Sequence, residues 1–358
     1  MRLTILRTFA TLCLGFLILI FVMPVVMERK LRHTPEDLQR LVQSQADFII
    51  DNQLPSGAIP WYHGTITDPW DHIEGAIALD LTGRFKEAAA AYKWSRDMQN
   101  PDGSWYSSYT DDKPQDLTKD TNFTSYIATG MWFNYLATRD LGFLREMWPM
   151  VEKSMEFTLS LQKPTGEIIW ALSKDNNPWP GAILTSSSCT WHSIRNGITI
   201  AETLGIAKPD WKEASDRLFT AIEQHPELFD REGENDRRYA MNWFYPILGG
   251  VVKGANAKTH IDKEWSDFVI DGWGCRVAAD EDVTAVAETS ELIIALALIG
   301  EHARGQQLLD WTLRIWDDKA GFCRGMKLPE QEACPPDEER ATWTSAALIL
   351  AIAALARA

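Results

Sequence analysis

From about residue 36 onward, apolar positions recur every three to four residues in block after block, and no long alternating stretch competes with them. That period buries one face of a helix rather than one face of a strand. The spacing predicts twelve helices, at about 36–52, 70–82, 84–99, 121–138, 142–162, 186–204, 209–224, 242–256, 260–269, 284–299, 301–316 and 340–357. Their connections alternate in length. Short turns with Gly or Pro, such as Thr82-Gly83-Arg84, Arg139-Asp140-Leu141-Gly142, Gly205 to Pro209 and Gly300, follow even-numbered helices. Long loops at 53–69, 100–120, 163–185, 225–241, 270–283 and 317–339 precede them.

Strict alternation stacks helical hairpins side by side with every long loop on one face, and six hairpins can close into an all-α (α/α)6 toroid. Residues 34–358 are expected to form that ring as a single domain. The even-numbered helices begin with small residues, as in Gly75-Ala76-Ile77-Ala78 and Ser345-Ala346-Ala347, which suit a crowded centre. The odd-numbered helices carry more charge, as in Arg84-Phe85-Lys86-Glu87, and suit a solvated outer layer.

A different pattern precedes the ring. Phe9 to Met27 is uncharged and nearly all apolar, long enough to cross a bilayer as one helix. The flank Glu28-Arg29-Lys30-Leu31-Arg32 reads as a membrane boundary, and an A-x-A-like cleavage site is missing, so residues 1–33 are expected to be an uncleaved single-pass anchor. An extracytoplasmic body is the preferred orientation. The formal charge of the whole chain is −15, and because residues 1–33 are basic the acidity belongs to the body, which argues against a nucleic-acid partner. With no C-x-x-C pair and no His spaced for metal, neither a metal nor a cofactor is expected. Cys323 and Cys334 flank a Pro-rich loop and could pair if the body is exported, or remain two free thiols.

Candidate chemistry lies where the inner helices begin. Their six N-terminal ends carry Asp68-Pro69-Trp70-Asp71-His72, Lys119-Asp120-Thr121-Asn122, Thr185 to Ser188, Met241-Asn242-Trp243-Phe244-Tyr245-Pro246, Thr284 to Thr289, and Glu338 to Trp343. Capping accounts for Asp, Ser, Thr and Asn at such ends. It does not account for the aromatic residues beside them. Asp71, Asp120, Glu288 and Glu339 supply the carboxyls that glycoside cleavage needs as proton donor and as base or nucleophile. Trp70, Asn122, Tyr126, Trp243, Tyr245, Arg340 and Trp343 are the expected substrate contacts. His72 and His192 are expected to be hydrogen-bonded core residues, and Ser186-Ser187-Ser188 lacks the elbow of a serine hydrolase.

Three Gln-x-x-x-Gly endings, at Gln53, Gln99 and Gln162, are followed by Trp61, Trp105 and Trp170. They resemble repeats of squalene-hopene cyclases and prenyltransferases and also of toroidal glycosidases. Asp280-Glu281-Asp282-Val283-Thr284-Ala285 resembles the acid motif of class II terpene cyclases, departing from it at Val283, and would make Asp282 the acid. Further blocks are Asp120-x-Asn122-x-x-Ser125-Tyr126, Thr185-Ser186-Ser187-Ser188, Trp243-Phe244-Tyr245-Pro246-x-Leu248-Gly249-Gly250, Val283-Thr284-x-x-x-x-Glu288-Thr289-x-Glu291-Leu292 and Glu339-Arg340-x-Thr342-Trp343-Thr344. Together they resemble a bacterial family labelled prenyltransferase-like, whose toroid is similar to that of terpenoid cyclases and six-hairpin glycosidases. The resemblance implies the fold and the position of the site rather than a reaction.

The reading that follows is a glycosidase-like, carbohydrate-active enzyme using carboxylate acid/base catalysis on envelope or surface glycans. Its partners are a glycan or small-molecule substrate and, through the first helix, a membrane. The alternatives are a terpenoid or prenyl-lipid enzyme and a catalytically silent glycan-binding toroid.

Overall fold

The computed structural model describes residues 34–230, 238–328, 330–333 and 339–356. Twelve α-helices are present among them: α1 (Pro35–Asn52), α2 (Pro69–Leu81), α3 (Phe85–Met98), α4 (Thr121–Thr138), α5 (Leu141–Ser160), α6 (Leu184–Leu204), α7 (Pro209–Gln224), α8 (Ala240–Leu248), α9 (Gly254–Phe268), α10 (Val286–Leu298), α11 (His302–Thr312) and α12 (Thr342–Leu355). The even-numbered helices touch in cyclic order, α2 to α4 to α6 to α8 to α10 to α12, and α12 returns to α2. Each odd-numbered helix packs outside this ring. The last hairpin is made from the two ends of the described chain, with α1 against α12.

The chemistry of the two layers differs as their burial does. In α7, Trp211, Ala214, Ser215, Leu218, Ala221 and Ile222 are buried, a stripe at helical spacing with charged residues opposite. Inner α12 is buried nearly all round, from Thr342 and Thr344 through Ala351, and has no polar face to offer water. Ring closure is polar as well as apolar. The Ser345 hydroxyl donates to Gln45 Oε1 at 2.8 Å, and the Thr342 hydroxyl to the Pro60 carbonyl at 2.7 Å.

The Gln-Gly endings stitch the outer layer. Gln53 Nε2 donates to the carbonyls of Gly57 and of Glu87 on α3; Gln99 Nε2 does the same to Gly103 and Met150 on α5, and Gln162 Nε2 to Gly166 and Ala214 on α7. All three glycines have positive φ, and a Cβ on Gly57 would stand 2.3 Å from the Ala90 carbonyl oxygen. Only glycine admits both the turn and the next helix.

Two helix boundaries depart from the spacing. Residues 242–256 do not form one helix, because Gly249 lies against the Ser188 carbonyl and Gly250 takes φ +80°, which ends α8 and lets α9 begin at Gly254. The long loops also hold short antiparallel pairs, Tyr109–Thr110 with Lys113–Pro114 and Lys119–Asp120 with Ala171–Leu172 among them. Such two-residue strands leave no alternation to read. Among the described residues no helix is long and apolar enough to cross a membrane, and the expected anchor, residues 1–33, lies outside them. Cys323 is disulfide-bonded, while its expected partner Cys334 lies outside the described residues; Cys189 and Cys275 are free and buried.

Candidate active site

The mouth of the ring is organised by two capping acids. Asp68 begins α2, accepting from the amides of Trp70 and Asp71 at 3.0 and 2.9 Å, and Asp120 begins α4, accepting from Asn122 and Phe123 at 2.7 and 3.0 Å. Each cap also receives an indole from a long loop. Trp61 Nε1 donates to Asp68 Oδ2 at 2.6 Å, and Trp170 donates to Asp120. Burial outweighs these donors at Asp120 and pushes its carboxyl up to about 7.

Asp71 follows Asp68 by one turn and Glu74 follows Asp71 by another, so the three acids descend one face of α2 into the ring. Burial, the Asp68 and Glu74 charges, a hydrogen bond to Asp68 and the Glu291 charge all hold the Asp71 proton well above the ordinary carboxylate range. Burial raises Asp68 too, but its backbone, Asp71 and Trp61 donors oppose the rise. Burial and the neighbouring charges thus favour a protonated form of the Asp68–Asp71 pair.

Below Asp71 lies a polar and aromatic plug. Trp70 stacks on Tyr126 with ring centroids 5.2 Å apart and donates its indole to Glu74 at 3.0 Å, while the Tyr126 hydroxyl reaches Glu74 at 3.3 Å. Across the ring, the Tyr245 hydroxyl donates to Glu291 in a short bond. Burial pushes Glu74 up to about 7 and Glu291 well above its usual range, the second also through the Glu74 charge.

Glu288 lies one turn above Glu291 on α10. Its Oε2 is buried with no hydrogen-bond partner, an arrangement that costs about 1–3 kcal/mol unless a ligand or water completes it. Burial raises its carboxyl, and the Arg324 charge opposes the rise. The same guanidinium holds Glu339 in an ion pair at 2.9 Å. Arg340 pairs with Asp317 at 2.7 Å and donates to the Gly321 carbonyl, so its hydrogen bonds go to the scaffold.

The expected aromatic contacts separate into three groups. Trp343 stands edge-on to Trp61 at 6.4 Å with its indole N–H buried and unpartnered, beside the mouth. Trp70, Tyr126 and Tyr245 form the plug. Trp243 points the other way: it stacks on Phe268 at 5.2 Å and donates to the His260 carbonyl, joining α8 to α9 in the core. Asn122 is buried at the cap, with its Oδ1 unpartnered. Asp282 is exposed and pairs with Arg276 at 2.9 Å, away from these acids. His72 accepts from the Ile59 amide at 3.0 Å and contacts the Ala91 carbonyl at 3.0 Å, a core role as expected.

Asp68, Glu74, Glu291, Arg324, Trp61 and Trp170 join the candidate site; the motifs quoted above include four of them, but none was named as a site residue from the sequence. One signal was available for the acids. Asp68, Asp71 and Glu74, like Glu288 and Glu291, repeat at a spacing of three on inner helices, which places them on one face.

No family model matches the chain. The chain is 39% identical over 324 residues to the MMP endo-(1,4)-3-O-methyl-alpha-D-mannosidase of Mycolicibacterium hassiacum, a match covering 90% of this chain and 87% of that protein. Among solved structures it is similar to a wild-type glycosidase, at TM-score 0.70 and 12% identity over 93% of this chain and all of the other. It is also similar to a D-mannose isomerase, at TM-score 0.69 and 8% identity over 92% of this chain and 99% of the other. At such identities the structural likeness speaks for the toroid alone. The comparisons support the glycosidase side of the sequence resemblance and give none to its prenyltransferase-like side.

Proposed function

Because the chain belongs to the family of the MMP endo-(1,4)-3-O-methyl-alpha-D-mannosidase and is a glycosidase-like, carbohydrate-active enzyme, we propose that it hydrolyses α-(1,4)-mannosidic bonds inside an O-methylated mannan. The observation that carries the catalytic reading is the buried pair Asp68–Asp71, both raised above the ordinary carboxylate range, with Glu288 and its unpartnered Oε2 two positions around the inner ring.

In this reading Asp71 is the general acid. Its proton passes to the glycosidic oxygen as the bond from that oxygen to the anomeric carbon breaks. Glu288, kept more ionised by Arg324, takes a proton from the water that attacks the anomeric carbon. One water is consumed, and each carboxyl is reset by exchange with solvent. Asp68 acts as a positioning residue, because it touches the acid rather than the sugar. Glu339 serves through Arg324. Trp343 and Trp61 offer apolar faces on which methylated sugar rings can lie, and methyl ethers add apolar surface to that contact.

The test is to give the purified full-length protein linear α-(1,4)-linked mannan oligosaccharides with and without 3-O-methyl groups and to size the products by mass spectrometry. Internal cleavage, faster on methylated chains, is the expected result. Trimming from one end only, or cleavage confined to unmethylated chains, would overturn the reading.

A further inference from the structure

Hydrolysis at the long-loop mouth leaves the other half of the barrel unused. Below the plug formed by Trp70, Glu74, Tyr126, Tyr245 and Glu291, a cavity of about 580 Å³ opens among the C-terminal turns of the inner helices. Its walls include Leu81, Leu136, Leu298, Leu350 and Ala353, and its volume is in the range that holds a single small ligand. Apart from the plug's own polar groups, Thr129, Asn196 and two histidines, a sugar would find few partners on such walls.

Three observations indicate what would. The rim is apolar where it meets solvent: Leu298 is 62% exposed, and Phe85 and Leu141, at the starts of outer helices on the same end, are 44% and 37% exposed. The chain also enters the ring here, since α1 is an outer helix that begins at Pro35 on the short-turn end. The uncharged stretch Phe9–Met27 precedes Pro35 closely in the sequence. Finally, the wall carries a polar group with nothing to bind. His302 lines the cavity and its Nδ1 is buried without a partner. His192 lines it as well, and the charges of Arg195 and Lys253 reach His192. An apolar chamber with imidazoles and nearby cations around it suits a chain with an anionic end.

We propose that this cavity binds one fatty-acyl chain, with its carboxylate at the His192–His302 side, taken up from a bilayer in which Phe9–Met27 is anchored. The proposal does not depend on the glycan substrate. Neither Asp71 nor Glu288 lines this cavity, so each site can be tested apart from the other.

The experiment uses the full chain in phosphatidylcholine vesicles and hexadecanoic acid carrying a diazirine near its methyl end. Illumination followed by peptide mass spectrometry should place label on the cavity wall, at Ile77, Thr129 or Leu350. Ala297→Phe and Ala353→Phe, each filling the chamber from a different helix, should cut that label at least tenfold while glycan hydrolysis is unchanged, which shows that the variants fold. A second arm carries the same diazirine chain on phosphatidylcholine. Stronger wall labelling from the free acid supports the carboxylate contact; stronger labelling from the phospholipid overturns it. Label confined to residues 9–27, or wall label indifferent to both substitutions, would overturn the site itself.

Discussion

The Asp71 amide donates to Asp68 Oδ1 at 2.9 Å, and burial together with the Asp68 charge holds the Asp71 carboxyl well above the ordinary carboxylate range at the entrance to α2. Two backbone amides and the Trp61 indole fix the Asp68 carboxyl in that position.

If Asp71 is the acid and Glu288 the base, Asp71→Asn and Glu288→Gln should each lower kcat by about 10²–10⁴ while substrate binding persists. Steady-state rates together with direct binding to the inactive variants check this. A rate within tenfold of the wild type for either variant would remove that residue from the mechanism.

The two limbs of the pH profile should move separately. Asp68→Asn removes a charge that keeps the Asp71 proton on, so the alkaline limb of kcat/KM should shift to lower pH. Arg324→Ala removes a charge that favours the Glu288 carboxylate, so the acidic limb should shift to higher pH. A uniform loss of rate with both limbs in place would mean that these residues only support the fold.

Asp71 on α2 and Glu288 on α10 have α12 between them in the ring. Acids on non-adjacent helices suit the wider arrangement of inverting enzymes, whose carboxyls stand about 6.5–9.5 Å apart to admit a water. Proton NMR of the first product formed should show the anomer opposite to that of the substrate; the same anomer would point to a nucleophile instead.

Trp343→Ala should raise KM roughly tenfold, about 1.4 kcal/mol, with kcat less affected, because a stacking face binds ground and transition states alike. A fall in kcat at constant KM would contradict that role.

Asp80 gives a test of stability. It is buried on α2 between the Tyr92 hydroxyl and the Asn134 amide, at 3.0 and 2.9 Å, and burial lifts its carboxyl from 3.8 to about 7. Between those values the native chain keeps a proton that the unfolded chain has released, so stability contributed by this group falls as pH rises toward 7 and stays low above it. Asp80→Asn should flatten that fall and raise the melting temperature at pH 8. Comparing variant with wild type cancels the opposite contribution of buried neutral His72, which is lost toward low pH.

The ring was legible because helical spacing and alternating loop lengths are local properties of the chain. Gln53, Gln99 and Gln162 could be seen to end outer helices, but not to clasp the next outer helix, since that contact spans 34 to 52 residues. At the mouth, residue type separated Asp71 and Glu288 from their surroundings without revealing direction. Trp243 is the clearest case: aromatic and at an inner helix start, it nevertheless turns outward onto Phe268. Glu74 and Glu291 were within reach of a helical-wheel count. Arg324 was not, because a strand in a long loop brings it to Glu288.

Ring closure has a consequence for the order in which the molecule becomes active. Gln45 meets Ser345 and Pro60 meets Thr342, so α12 is the keystone between α10 and α2, and Trp343 arrives at the mouth with it. While a ribosome is still making α12, the other eleven helices can only be an open arc with the apolar flanks of α2 and α10 uncovered. Ribosome-bound chains should therefore lack hydrolysis and recruit chaperones until the gap is filled.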